Sequence, residues 1–201
     1  MLIKHGTYRL NEHFRWWSKE TVAVVTGSSK GIGFSLVKKL AELGLTVVLT
    51  ARDEAKGKTA MESLINRYGF PSLRFHQLDI SDSSSIEAFA SWLRKEFVYI
   101  DILVNNAGVS FNEINENSVE KAEIVMATNF HGSKRLTEAL LPMFRREDSK
   151  SRILNLSSRL GSVNVRIRGF VSAMIESGFV EDEELEMEKD AEERNPNRER
   201  D

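Results

Sequence analysis

Short apolar runs alternate with amphipathic stretches along most of this chain. Apolar runs that are bounded by polar turns predict buried strands, and apolar positions three to four apart predict helices. The predicted strands cover residues 22–25, 46–50, 73–78, 100–104 and 152–156. The predicted helices cover residues 34–43, 53–67, 82–97 and 119–144, with Ser81 or Asp82 capping the third and kinks expected in the fourth near Gly132 and Pro142.

Strands that alternate with helices predict a parallel, doubly wound α/β sheet, because crossover connections are right-handed. We expect a Rossmann-type order of 3-2-1-4-5, in which ligands bind at the carboxyl ends of the strands. Residues 1–20 are predicted to be an N-terminal extension held by Phe14, Trp16 and Trp17. Residues 21–161 form the predicted NADP-binding domain, and residues 162–201 a divergent acidic tail, partly helical or disordered.

A glycine-rich segment, Thr26-Gly27-Ser28-Ser29-Lys30-Gly31-Ile32-Gly33, links the first strand to the first helix. In that context the pattern is typical of dinucleotide binding. We expect Gly27 to permit the tight turn, Gly31 to let the backbone approach a pyrophosphate, and Gly33 to let the helix pack closely on the sheet. The helix N-terminus would offer free N–H groups to the phosphates. Ser29, Lys30 and Ile32 complete this predicted cradle.

Arg52 follows the second predicted strand, where dehydrogenases that use the unphosphorylated cofactor place a carboxylate for the ribose 2′-hydroxyl. A guanidinium suits a 2′-phosphate instead, because it forms paired, charge-assisted hydrogen bonds. Lys30 is a second candidate for the same phosphate, although either residue can also be a solvated surface cation. We interpret the neighbouring carboxylate, Asp53, as the start of the next helix. The sequence therefore favours NADP over NAD.

Two further strand ends carry candidate cofactor contacts. Asp79, followed by Ile80, ends the third predicted strand, and its carboxylate either accepts from an adenine amino group or caps the next helix. The fourth strand leads into Asn105-Asn106-Ala107-Gly108, whose small residues let a cofactor ribose lie on the backbone. A plain turn is the alternative for this second segment.

Composition narrows the functional class. The chain has no cysteine, which excludes disulfides and thiolate chemistry and fits a reducing compartment. Its four histidines are scattered, so we expect no metal site. No apolar run approaches the roughly 18 residues of a membrane span, and the N-terminus has no signal-like apolar stretch, so we expect a cytoplasmic protein. The segment from Glu176 onward is strongly acidic and the rest mildly basic, which suits an anionic cofactor better than nucleic acid.

The order of these motifs resembles the short-chain dehydrogenase/reductase family over about residues 20–161. The shared motifs are the glycine segment, Asp79, residues 105–108, Asn129 within Thr128-Asn129-Phe130-His131-Gly132, and Asn155-Leu156-Ser157-Ser158. Further similarities, such as Thr50-Ala51-Arg52-Asp53, resemble the plant menthone/neomenthol and salutaridine reductase branch, which is related to carbonyl reductases. The resemblance implies NADPH-dependent reduction of a small-molecule ketone, with Ser158 binding the carbonyl oxygen and Asn129 holding a lysine through water.

The same resemblance implies a Tyr-x-x-x-Lys pair that this chain does not contain. The tyrosines, Tyr8, Tyr68 and Tyr99, all precede Ser158, and the position at the usual spacing after the serine is Val171. The family's last strands are missing as well, which predicts a bare edge on the fifth strand. We therefore expect a catalytically impaired reductase; the alternatives are a non-catalytic NADP-binding or interaction protein and a truncated fragment. The expected state is a monomer or a weakly self-associating chain.

Overall fold

The computed structural model describes residues 16–111, 119–145 and 151–157. Its strands are β1 (Val22–Val25), β2 (Thr46–Ala51), β3 (Leu73–Gln77), β4 (Ile102–Asn105) and β5 (Arg152–Asn155). Its α-helices are α1 (Gly31–Glu42), α2 (Glu54–Tyr68), α3 (Ser83–Glu96), α4 (Val119–Met126) and α5 (Ser133–Leu140). All five predicted strands are present, with their ends displaced by up to two residues.

The strands form one parallel sheet in the order β3-β2-β1-β4-β5, which confirms the predicted Rossmann-type topology. The order reverses between β1 and β4, so the crevice for a ligand lies above the carboxyl ends of these two strands. Among the described residues β5 is an edge strand, and it is exposed along its length. The predicted bare edge is therefore present in the described part of the chain.

Both faces of the sheet are covered, which explains why its central strands are continuously apolar. Val24 and Leu103 point into a core that also contains Phe89 of α3. Val25 and Val104, the next residue along each strand, point into a second core with Val37 of α1. This alternation fixes the register of the sheet and hence the residues at its carboxyl edge.

The predicted fourth helix is divided. A π-helical turn spans Ala127–Gly132 before α5, and a short 3₁₀ turn spans Leu141–Met143 after it. A Cβ on Gly132 would lie 2.6 Å from the carbonyl oxygen of Ile80, so glycine is needed for this close approach. Pro142 lies where the α-helical hydrogen bonds stop, because it has no N–H to donate. Near Gly132 and Pro142, where kinks were expected, the helix instead changes between π-helical, α-helical and 3₁₀ hydrogen bonding.

The chain divides into two compact units, one of residues 1–109 and 127–156 and one of residues 110–126 and 157–201. The first unit holds the sheet together with α1, α2, α3 and α5. Trp16 and Trp17 pack edge to face at 5.9 Å; Trp17 lies against the core, and Trp16 also contacts the Arg152 guanidinium. Phe14 lies outside the described residues. No helix in the described part of the chain is long and apolar enough to span a membrane.

Candidate functional site

The N-terminus of α1 differs from those of the two helices that follow it. Asp53 caps α2 by accepting from the Lys56 backbone N–H, and Asp82 caps α3 by accepting from the Ser84 N–H. The cap of α1 is Lys30, which makes no side-chain cap hydrogen bond, and its first turn holds no acidic residue. The N–H groups and positive dipole end of α1 are therefore available to an anion.

The three glycines of the loop have different surroundings. Gly27 and Gly31 have φ values of 60° and 59°, in the left-handed region that side chains disfavour. A Cβ on Gly27 would lie 2.8 Å from Ala107 Cα, whereas a Cβ on Gly31 would have nothing within 4 Å. A Cβ on Gly33 would meet the Asn106 amide nitrogen and lie 2.9 Å from Ser28 Cα. The open space is therefore at Gly31, where a phosphate is expected.

A hydrogen-bonded clamp joins this loop to the loop after β4. The Thr26 hydroxyl accepts from the backbone N–H groups of Asn106 and Ala107, at 3.0 and 2.9 Å, and donates to the Val104 carbonyl. The Asn106 amide donates to the carbonyl oxygens of Thr26 and Gly27, at 2.8 and 3.1 Å. Thr26 is only 1% exposed, so these bonds are shielded from water. The clamp fixes both loops that border the crevice.

Ser28 fastens the other side of the glycine loop to β2. Its backbone N–H donates to the Thr50 carbonyl at 2.8 Å, and its hydroxyl accepts from the Thr50 N–H at 3.1 Å. The hydroxyl donates to the Val25 carbonyl at 2.8 Å. Ser28 is fully buried, so it supports the loop rather than contacting a ligand.

Two exposed cations are candidates for binding an anion: Lys30 at the N-terminus of α1 and Arg52 after β2. Arg52 follows β2 directly, and the Gln77 side-chain amide donates to its backbone carbonyl at 3.1 Å. Within the described residues, the side chains of Arg52 and Lys30 make no hydrogen bond or ion pair. Both are therefore available to an anionic group. Ser29 beside them is half-buried, and Ile32 is 70% exposed at the start of α1.

Asp53, the one carboxylate beside Arg52, is engaged elsewhere. Its Oδ1 accepts from the Lys56 N–H at 3.0 Å, and its Oδ2 lies 3.2 Å from the Lys56 ammonium. The backbone hydrogen bond first, and then the ammonium, hold the pKa of Asp53 below its ordinary value. The interpretation of Asp53 as the start of a helix is confirmed, and its charge is balanced by Lys56.

A groove runs between α1 and α2 from the glycine loop outward. Its apolar lining consists of Phe34, Ala55 and Ala60, and Lys30 and Lys56 also line it. The remaining lining residues all bear hydroxyl groups: Ser29, Thr59 and Ser63. A groove with this lining is suited to an anion that is attached to a larger organic group.

Asp79 lies two residues beyond the end of β3. Its Oδ1 accepts from both the backbone N–H and the hydroxyl of Ser81, at 2.9 and 2.6 Å, so it closes a turn. Asp82, and not Ser81 or Asp79, caps α3. Ile80 is 4% exposed and packs in the core, which leaves its backbone rather than its side chain for any contact with a ligand.

Asn129 lies in the π-helical turn and reaches the loop after β4. Its Oδ1 accepts from the Val109 N–H at 2.8 Å, and its Nδ2 donates to the Val109 carbonyl at 2.9 Å. A Cβ on Gly108 would lie 3.3 Å from Asn129 Oδ1. Both polar atoms of the Asn129 side chain are thus bonded to Val109, which fixes this side chain against the loop after β4.

The structure thus brings most of the predicted residues to one edge of the sheet. Ser158 lies outside the described residues, as does Val171. Sequence reasoning missed Thr26, Ser28 and Lys56 as parts of the site. Thr26 and Ser28 lie inside the glycine segment, and the presence of hydroxyl residues among glycines could have indicated their role in holding the loop. Lys56 has no such signal, because in the sequence it looks like any other surface lysine of a helix.

Comparison with known proteins gives one family. The sequence matches the family model described as short chain dehydrogenase over residues 21–173. The (+)-neomenthol dehydrogenase of Arabidopsis thaliana is 38% identical over 162 residues, which cover 70% of this chain and 54% of that protein. Carbonyl reductase (NADPH) 1 of Bos taurus is 44% identical over 143 residues, covering 70% of this chain and 50% of that protein.

The structure of salutaridine reductase from Papaver somniferum is similar, with a TM-score of 0.62 and 37% identity; the match covers 71% of this chain and 58% of that one. These matches confirm the predicted resemblance to the reductase branch. The chain spans about half the length of the curated relatives it matches.

Proposed function

Because this chain belongs to the short chain dehydrogenase family, a family of oxidoreductases, we propose that it binds NADP(H) across the carboxyl ends of β1, β2 and β4. The observation that carries the proposal is the uncapped N-terminus of α1 below the open space at Gly31. The backbone N–H groups there would bind the pyrophosphate. The clamp between Thr26 and Asn106 would hold the loop in the binding geometry before the cofactor arrives, which lowers the ordering cost of binding.

The preference for the phosphorylated cofactor rests on charge. Arg52 and Lys30 would hold the 2′-phosphate, since both are exposed and neither is paired among the described residues. Asp53 would not repel it, because its carboxylate is held by Lys56. The Bos taurus relative carries NADPH in its name, which supports the same choice. When bound, this cofactor supplies a hydride for the reduction of a carbonyl group.

We further propose that the lineage is that of carbonyl reductases acting on small ketones, and that this chain has little or no turnover. Ser158 would bind the substrate oxygen, but no tyrosine follows it within the 201 residues to protonate that oxygen. General acid catalysis contributes roughly 10²–10⁴ in rate, so its loss would leave a slow reaction. A non-catalytic NADP-binding protein is the second candidate, and the missing Tyr-x-x-x-Lys pair is the observation that favours it.

Equilibrium titration of the full chain with NADPH and NADH, followed by NADPH fluorescence, tests the cofactor assignment. We expect NADPH to bind more tightly, and Arg52→Ala to weaken NADPH binding about tenfold, equivalent to about 1.4 kcal/mol, without changing NADH binding. Lys58→Ala is the matched control, since Lys58 is a surface lysine of α2 paired with Glu54 at 2.7 Å. Equal affinity for the two cofactors would contradict the assignment.

Ketone-dependent oxidation of NADPH tests the catalytic part separately. The expected rate with a panel of ketones is indistinguishable from that of NADPH without protein. A rate well above this background would contradict the proposed impairment while leaving the cofactor assignment intact. NADPH binding without turnover is the result that the proposal requires.

A further inference from the structure

Asn105, at the end of β4, is a buried amide with one unpaired atom. The residue is 5% exposed, and its side chain points to the face of the sheet that α5 covers. Its Nδ2 donates to Thr137 Oγ1 at 3.1 Å and to Asn155 Oδ1 at 2.8 Å. Its Oδ1 is also buried, and in the described part of the structure no group donates to it. Leaving a buried acceptor unpaired is unfavourable, and most such groups in native proteins have a hydrogen-bond partner or an ordered water.

Rotating the amide does not remove the problem. The Thr137 hydroxyl already donates to the Ser133 carbonyl at 2.8 Å, so it has no proton for an oxygen of Asn105. In the rotated amide, the oxygen would face Thr137 Oγ1 and Asn155 Oδ1, and both hydrogen bonds that Nδ2 now donates would be lost. The orientation described keeps these two bonds, and it is therefore the favoured one.

We propose that Asn105 Oδ1 binds an internal water molecule at the carboxyl ends of β4 and β5. A water supplies the missing donor, and buried waters typically satisfy polar groups of this kind. Apolar ligands are excluded because they would leave the amide oxygen unpaired. A cation is disfavoured because the two described hydrogen-bond partners of the amide, Thr137 and Asn155, are both uncharged.

The hydrated amide links two parts of the candidate site. The backbone carbonyl of Asn105 accepts from the Leu156 N–H at 2.9 Å, and its side-chain Nδ2 donates to Asn155 Oδ1. Asn105 therefore makes two hydrogen bonds to the end of β5. The next residue, Asn106, holds the glycine loop. Asn155 stands three positions before Ser158 in the chain. Asn105 is thus a positioning residue between the cofactor loop and the strand that leads to the serine, whether or not the chain binds NADP.

Water contacts measured by ¹⁵N-edited NOE and ROE spectroscopy on the unmodified chain test the bound water directly. A long-lived water gives the side-chain amide of Asn105 an NOE of opposite sign to its ROE. Asn106 is the internal control, because its Nδ2 is fully used by the carbonyls of Thr26 and Gly27 and should contact only short-lived surface water. Absence of the long-lived signal at Asn105 would overturn the proposal.

Asn105→Leu tests the linking role by amide hydrogen exchange. We expect the N–H groups of Leu156 and Asn106 to exchange about tenfold faster, since both strand ends lose their common support, while Val24 in the sheet centre is unchanged. Faster exchange on one side only would contradict the linking role. If this variant does not fold, the NOE and ROE measurement on the unmodified chain still tests whether Asn105 binds a long-lived water.

Discussion

Gly31 and Gly69 offer a paired test of the phosphate site. Gly31 has φ 59° and Gly69, at the end of α2, has φ 68°, and a Cβ on either would have nothing within 4 Å. Alanine at each position therefore carries the same backbone strain without a clash. The left-handed conformation costs a non-glycine residue about 1–2 kcal/mol, part of which is offset by the smaller entropy of the unfolded chain.

The two variants should match in stability and differ in binding. A net loss of about 1 kcal/mol lowers Tm by roughly 2–4 °C for a domain of this size. In Gly31→Ala the added methyl group enters the space assigned to the pyrophosphate and displaces it from the N–H groups of α1. Loss of one charge-assisted hydrogen bond, at about 1.5–3 kcal/mol, weakens NADPH binding roughly 10- to 150-fold. Gly69→Ala should bind NADPH normally.

Differential scanning fluorimetry gives the Tm values, and NADPH fluorescence titration gives the Kd values. Gly33→Ala is a third arm, in which the new Cβ meets the Asn106 amide and the backbone of Ser28. We expect it to be less stable than the other two variants as well as deficient in binding. Undiminished NADPH affinity in Gly31→Ala, or an equal loss in Gly69→Ala, would refute the placement of the phosphates.

Three further outcomes follow from the hydrogen bonds described. Thr26→Val should lower the free energy of unfolding by about 2 kcal/mol in urea denaturation, because two N–H groups lose their acceptor, and Thr26→Ser should restore it. Asp101→Asn should cost a similar amount, about 2 kcal/mol, by weakening the 2.8 Å bond from Arg145; an unchanged urea midpoint would contradict this. The lowered pKa of Asp53 means that its support of α2 is complete above the ordinary carboxyl pKa and is lost as pH falls through the lowered native value. The protection factor of the Lys56 amide, which is its intrinsic exchange rate at each pH divided by the measured rate, should therefore fall in acid. Asp53→Asn, which keeps a capping oxygen, should abolish this pH dependence.

The strands and the glycine loop were predictable because their signals are local. β1 and β2 are buried on both faces and read as apolar runs, and a glycine segment between strand and helix has few structural alternatives. The choice of Asp82 over Ser81 as the cap of α3 was not predictable, since both residues have capping side chains.

Long-range contacts account for most of what the sequence did not predict. Thr26 acts through Asn106 and Ala107, which lie 80 and 81 residues further along the chain. The π-helical turn contains Asn129, whose two bonds to Val109 span 20 residues. The unpaired oxygen of Asn105 depends on the packing of two strands and a helix around it. No local pattern encodes such arrangements.

The position of β1 at the centre of the sheet has a consequence for synthesis of the chain. β1 pairs early with β2, but its other neighbour is β4, and the Asp101 carboxylate that binds the Val22 N–H lies 79 residues later. At a translation rate of about 5–20 residues per second, the open side of β1 waits roughly 4–16 seconds for its partner. Once β2 and β3 are made, a half-sheet of three strands would present the unpaired apolar edge of β1 until β4 follows. The central strand of the native sheet would then be an edge strand of this partial sheet.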